Sequence, residues 1–304
     1  MFYPLAGMLL LSLVWCGYWF IAFSGAKELI QAKRLEFAGR GMDLTCARET
    51  WGGFPFRFEF QCETARLQFI HGTQTFNVQT TKFLAVAQAY NPLHVIFLVD
   101  GPTSIDRTTV IHDRALISLT VSLDRDWDAS LEAASVNAQD LFTAGQLKLF
   151  ARKVNGRLDL AANTKELTVI RPENPPVIFS SAELVGQTSA ALLTQRRLAG
   201  QALEINTLKI SQGPVDFAAT GTVSLDAQRR LAGKLSSQTN DIDGVMKFVE
   251  PILALNEQDS ATIKNLVTLA GSDPATKTTK ADFTAKGGAL YWGLIKLADL
   301  TPLY

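Results

Sequence analysis

The segment Trp51-Gly52-Gly53-Phe54-Pro55-Phe56-Arg57-Phe58-Glu59-Phe60-Gln61-Cys62 constrains the fold more than any other part of the chain. Phe54, Phe56, Phe58 and Phe60 fall at every second position, with Pro55, Arg57 and Glu59 between them. Successive side chains of a strand point to opposite faces, so the spacing predicts a strand with a ladder of phenyl rings on one side and a polar surface on the other. The Trp-Gly-Gly before it is turn chemistry, since glycine takes positive φ at no steric cost. Such a face has to be covered by a core, a partner or a lipid chain. Ordinary sheet core is the plainer reading, and an apolar ligand face is the functional one.

The first 26 residues carry no charged side chain. The apolar run from Leu5 to Phe23 would make about 28 Å of helix, close to the ~30 Å of a bilayer core. This predicts a transmembrane anchor over residues 1–25. A cleaved signal peptide is the competing reading, with Ser24-Gly25-Ala26 as a small-residue cleavage site, but no Lys or Arg precedes the run. Trp15, Tyr18, Trp19 and Phe20 cluster near its far end, where aromatic rings favour the membrane interface.

Lys27, Lys33, Arg34 and Arg40 follow the span, and the positive-inside tendency would keep that side in the cytoplasm. Cys46 and Cys62 argue the other way: a disulfide between them suits an oxidising compartment, and two buried thiols are the alternative. The expectation is an inner-membrane protein of one span with its body in the periplasm.

Downstream, a hydrophobic content of 47% with Thr, Val, Leu and Phe in short alternating runs is the composition of half-buried sheet. Lys plus Arg and Asp plus Glu both number 29, so nothing in the charge balance draws the chain to nucleic acid. The anchor helix is expected to continue through Lys27–Leu35. Strands are predicted around 43–47, 65–70, 75–87, 93–99, 109–113 and 115–123, with further ones to 161 and a turn at Ala161-Ala162-Asn163-Thr164. Prolines in Arg171-Pro172-Glu173-Asn174-Pro175-Pro176 suggest a boundary between a β-rich part, 26–172, and a C-terminal part, 173–304.

That second part reads as a β-meander over 201–238. The period then changes: Ile242, Val245, Met246 and Val249 lie three and four apart, predicting an amphipathic helix capped by Asn240 or Asp241 and interrupted at Pro251. A second helix is expected over 260–270, and strands over 281–286 and 289–297. The fold class is α+β, mainly β: an N-terminal transmembrane helix, a curved antiparallel sheet and a few helices in the C-terminal third.

Motifs of catalysis are sparse. His71, His94 and His112 form no HExxH pair, and no CxxC, P-loop or GxSxG is present. His112-Asp113 is the one base-and-carboxylate candidate, without a marked nucleophile beside it. Asp124, Asp126 and Asp128 begin like a calcium loop, but Ala129 and Ser135 stand where the glycine and bidentate Glu belong. The alternation fits the wet face of a strand instead. No catalytic residue, metal site or cofactor is expected.

Several short motifs occur in an order that resembles a bacterial family, described mainly in alphaproteobacteria, whose domain has no assigned function. They are Gly53-Phe54-Pro55-Phe56-Arg57 with Cys62, Tyr90-Asn91-Pro92-Leu93-His94, Ala219-Thr220-Gly221-Thr222-Val223-Ser224-Leu225-Asp226 with Leu231-Ala232-Gly233, and Trp292-Gly293-Leu294-Ile295-Lys296-Leu297 before Pro302. More loosely, a meander followed by helix and a late glycine-containing strand is similar to the periplasmic AsmA-like proteins. That resemblance implies a lipid-facing sheet and a role in the cell envelope. The expected function is therefore non-enzymatic, either lipid handling or envelope assembly, with envelope proteins as alternative partners. A hydrolase using His112-Asp113 ranks last.

Overall fold

The computed structural model describes residues 3–71, 74–171, 174–193, 200–253, 257–273, 278–300 and 302. A long apolar helix is followed by antiparallel sheet, with the remaining α-helices late in the chain. Contacts divide the chain into two compact units, Met1–Arg125 with Ala129–Gln139, and Asp126–Asp128 with Asp140–Tyr304.

Unit 1 opens with α1 (Tyr3–Ala38). It is apolar on all sides up to Phe23, and good helix formers carry it on through Leu35. Strands β1 (Met42–Thr45) and β2 (Arg48–Gly52) both lie along β3 (Arg57–His71). β3 pairs with β4 (Gln74–Gln88), and β4 with β5 (Asn91–Ile105). β5 is flanked by β6 (Thr108–Ile111) and β7 (Ala115–Val121), and β6 pairs with β8 (Trp127–Ala138). β5 is longer than the sequence implies: it runs through Asp100-Gly101-Pro102, where its register to β4 shifts between Thr80 and Lys82. A bulge lets a strand pass residues that would otherwise end it.

Unit 2 is a long meander. β9 (Phe142–Val154), β10 (Arg157–Arg171), β11 (Asn174–Ser189), β12 (Ala202–Gln212), β13 (Val215–Leu225) and β14 (Leu231–Thr239) pair in chain order. Then come α2 (Ile242–Leu253), α3 (Glu257–Gly271) and the short β15 (Ser272–Asp273). β16 (Thr278–Lys286) returns to β14, and β17 (Ala289–Trp292) and β18 (Ile295–Asp299) follow.

Two expectations are corrected. Ala161–Thr164 is no turn: it lies inside β10, paired on both sides, with Asn163 opposite Lys148 and Glu183. Ladder pairing on two edges overrides the weak local turn signal. Asp124 and Asp126 lie in the loop before β8 rather than on a strand, and Asp126 accepts the Asn155 amide hydrogen. Residues 172 and 173, where a boundary is expected, lie outside the described residues. Their flanking strands are hydrogen-bonded neighbours with Arg171 opposite Asn174.

Candidate apolar site

The phenylalanine segment is not one strand. Gly53 turns the chain at φ +103, and a Cβ there would sit 2.4 Å from the Arg57 carbonyl oxygen. That crowding leaves room for glycine alone. Arg57 N–H closes the turn on the Gly53 carbonyl at 3.0 Å, the Phe54–Pro55 peptide is cis, and β3 begins only at Arg57. Phe54 and Phe56 therefore belong to a turn, and Phe58 and Phe60 to a strand. Proline at the second ladder position cannot donate to a neighbouring strand, which is why the alternation outruns the sheet.

Phe60 is buried against Trp51 (ring centroids 4.6 Å) and Phe83, in a cluster with Cys62 and Ala65. Phe83 stacks in turn on Phe97 at 5.5 Å, so an aromatic row crosses β2 to β5. Cys46 and Cys62 are joined as a disulfide, which ties the segment after β1 to β3. A wide loop through β2 closes the bridge, not a tight hairpin at Gly52-Gly53.

The other three rings are met by α1. Trp19 lies 5.2 Å from Phe54 and 5.9 Å from Phe58, Phe20 stacks on Phe54, Phe23 adjoins Phe58, and Trp15 lies 6.2 Å from Phe56. Polar tips fix the docking: Trp15 Nε1 donates to Pro55 O (2.9 Å), Tyr18 Oη to Ala89 O (2.8 Å) and Trp19 Nε1 to Arg57 O (3.1 Å). Farther along, Arg34 pairs with Glu49 at 2.6 Å and donates to Leu44 O. The sequence signal for this was present. Trp15, Trp19 and Phe23 repeat every four residues, one helical face, yet they read equally well as a membrane-interface belt.

An open apolar space exists elsewhere, inside unit 2. Asp241 caps α2 through its Oδ1, which accepts the Gly244 amide at 3.0 Å, and the helix runs past Pro251 to Leu253. Val245 and Met246 then face the sheet, and Ile263 and Val267 do so from α3. Between these helices and the sheet from β13 to β18 lies a cavity of ≈ 270 Å³, walled by Met246, Ile263, Val267, Phe217, Leu235, Ala281 and Phe283 among others. Lys234 is the charged residue on its lining and is exposed. Cavities of ~150 Å³ with such walls stay dry and take up a benzene ring. Gly221 and Gly233 let the backbones of β13 and β14 approach closely here: a Cβ on either would stand about 2 Å from the facing carbonyl.

Two of the histidines have hydrogen-bond partners. His94 Nε2 lies 2.9 Å from Ser118 Oγ and His112 Nε2 lies 2.8 Å from Thr103 Oγ1. His112 Nδ1 contacts the main-chain carbonyl of Asp113, so both ring nitrogens are engaged. The side chain of His71 lies outside the described residues. Among the described residues no group of His, Cys, Asp or Glu is arranged to hold a metal ion.

The family model described as "Uncharacterized protein conserved in bacteria (DUF2125)" matches residues 19–301. The chain belongs to the DUF2125 family. The match begins at Trp19, inside the docked stretch of α1, and takes in the disulfide and the whole lining of the cavity. No curated protein and no solved structure matches this DUF2125 chain. Its α1 is long and apolar enough to cross a membrane, with a mean hydropathy of 1.9 over its most apolar window.

Proposed function

We propose that this DUF2125 protein is a non-enzymatic, single-pass inner-membrane protein whose body lies in the periplasm and shelters an acyl chain in the cavity of unit 2. The observation that carries the reading is the cavity itself, an unfilled apolar space between the sheet and two helices. The apolar helix supports anchoring, the Cys46–Cys62 disulfide supports an oxidising compartment, and the AsmA-like resemblance supports a role in lipid handling. Burial of an alkyl chain yields about 25 cal/mol per Å² and needs no catalytic group.

The test uses full-length protein in nanodiscs and the fluorescent apolar probe N-phenylnaphthylamine, beside organic extraction of the purified sample. Saturable binding is expected, together with its loss in Ala281→Trp, whose indole would fill the cavity. Absence of both extracted lipid and saturable binding rules the reading out. Alkaline phosphatase fused after residue 304 should be active, and an inactive fusion would put the body in the cytoplasm.

A second reading, docking of another envelope protein on the terminal strand, draws on Leu294, which is fully exposed in the β17–β18 turn. In-cell crosslinking from Leu294→Cys should then trap a discrete adduct.

A further inference from the structure

The outward side of α1 changes character part-way along. From Gly17 to Gly25 the exposed positions carry no charge, with Ile21 78% exposed; beyond Lys27, Glu28, Gln31 and Lys33 are exposed among Leu29 and Leu35. A helix packed on a sheet in water carries a polar back along its whole length. α1 bears charged groups only in its second half, although it is docked from Trp15 onward.

The folded body is fastened below that change. Pro55 O binds Trp15, which lies twelve residues before Lys27, about 18 Å of helix. If α1 crosses the membrane, the Phe54–Phe56 turn therefore stands beside a part of the helix whose back is in lipid. The body's own surface at this end agrees. Phe56 is 62% exposed and Tyr90, in the β4–β5 turn hydrogen-bonded to Phe56 O through Ala89, is 68% exposed. Leu93 lies near the start of β5 beside it, and Leu123, 93% exposed, follows β7, whose Thr120 pairs with His94. Four exposed apolar side chains at one end of a sheet are costly in water and favoured at a bilayer interface. The Arg57–Glu59 ion pair (2.9 Å) limits the depth, since a long exposed cation reaches the lipid phosphates.

We propose that this end of unit 1 is set into the interfacial layer of the bilayer that α1 crosses, so that the protein stands on its membrane by helix and sheet together. The inference rests on the anchoring reading above and is independent of the cavity. Full-length protein carrying Cys16→Ala and one reporter cysteine, Tyr90→Cys or Leu93→Cys, is labelled with an environment-sensitive fluorophore. The same label at Arg107→Cys, in the β5–β6 turn at the other end of β5, serves as control. In phosphatidylcholine–phosphatidylglycerol vesicles with lipids brominated near the headgroup, quenching at 90 and 93 should exceed that at 107 several-fold. An equal, low quenching at all three positions in protein that still floats with vesicles after alkaline washing overturns the inserted end and leaves the anchor standing. Release of the protein by that wash overturns both. Burial of this end by another protein would likewise leave it wet in these vesicles, and so counts against the proposal.

Discussion

The two units treat their apolar surface in opposite ways. In unit 1 every ring of Phe54–Phe60 meets another aromatic ring, from α1, Trp51 or Phe83, and a disulfide locks the strands beneath them. In unit 2 two helices cap the sheet and leave ≈ 270 Å³ unfilled. A close-packed region resists any change of volume, whereas a hollow one accepts added atoms. Phe60 thus sits in a packed core while Phe54 and Phe56 stay about half exposed, and the unfilled space lies under helices whose sequence carries no motif.

The sharpest break of this contrast is Phe60→Ala. Its ring is buried in the aromatic row, so truncation should cost unit 1 about 3–5 kcal/mol, read by hydrogen exchange across β3 and β4 in nanodiscs. A loss below 1 kcal/mol would mean that unit 1 is as loosely packed as unit 2. Next is the double variant Cys46→Ala, Cys62→Ala. Releasing a bridge across a sequence separation of 16 should cost about 3 kcal/mol, confined to unit 1, with exchange in β13 and β14 unchanged.

The third test adds volume. Ala65→Leu in the Phe60 cluster should destabilise by about 1–3 kcal/mol, while Ala281→Leu, pointing at the cavity, should be neutral or stabilising. Equal penalties at both sites would abolish the distinction.

The smallest effect concerns pH. Two hydrogen bonds from the Arg114 guanidinium, at 2.6 and 3.1 Å, hold the Asp100 carboxyl below the usual carboxylate range. A carboxyl whose pKa is lower in the folded state contributes stability above its unfolded pKa and loses it as pH falls through the folded value. Unit 1 should therefore weaken below about pH 4, and Asp100→Asn should flatten that dependence while costing under about 1 kcal/mol at neutral pH, since the pair is partly solvated.

Much of the fold is legible in the residues. The charge-free run to Ala26 dictates a long apolar helix, alternation dictates strands over most of the chain, and the change of period at Ile242 dictates α2 with Asp241 as its cap. Where local signals misled, pairing decided. Ala161–Thr164 reads as a turn because alanine and asparagine are poor strand formers, yet two neighbouring strands hold it extended. The cavity had no sequence signal, since Met246, Ile263 and Val267 at helical spacing describe a filled interface as well as a hollow one.

By itself, then, the order of residues determined which segments are helix or strand and which of their faces are apolar, because periodicity is a property of each segment alone. Only the tertiary structure decided what covers each face. Contact between α1 and the Phe54 turn joins residues some forty positions apart, and the space left between α2, α3 and the sheet is walled by residues from Phe217 to Leu297 that no local pattern brings together.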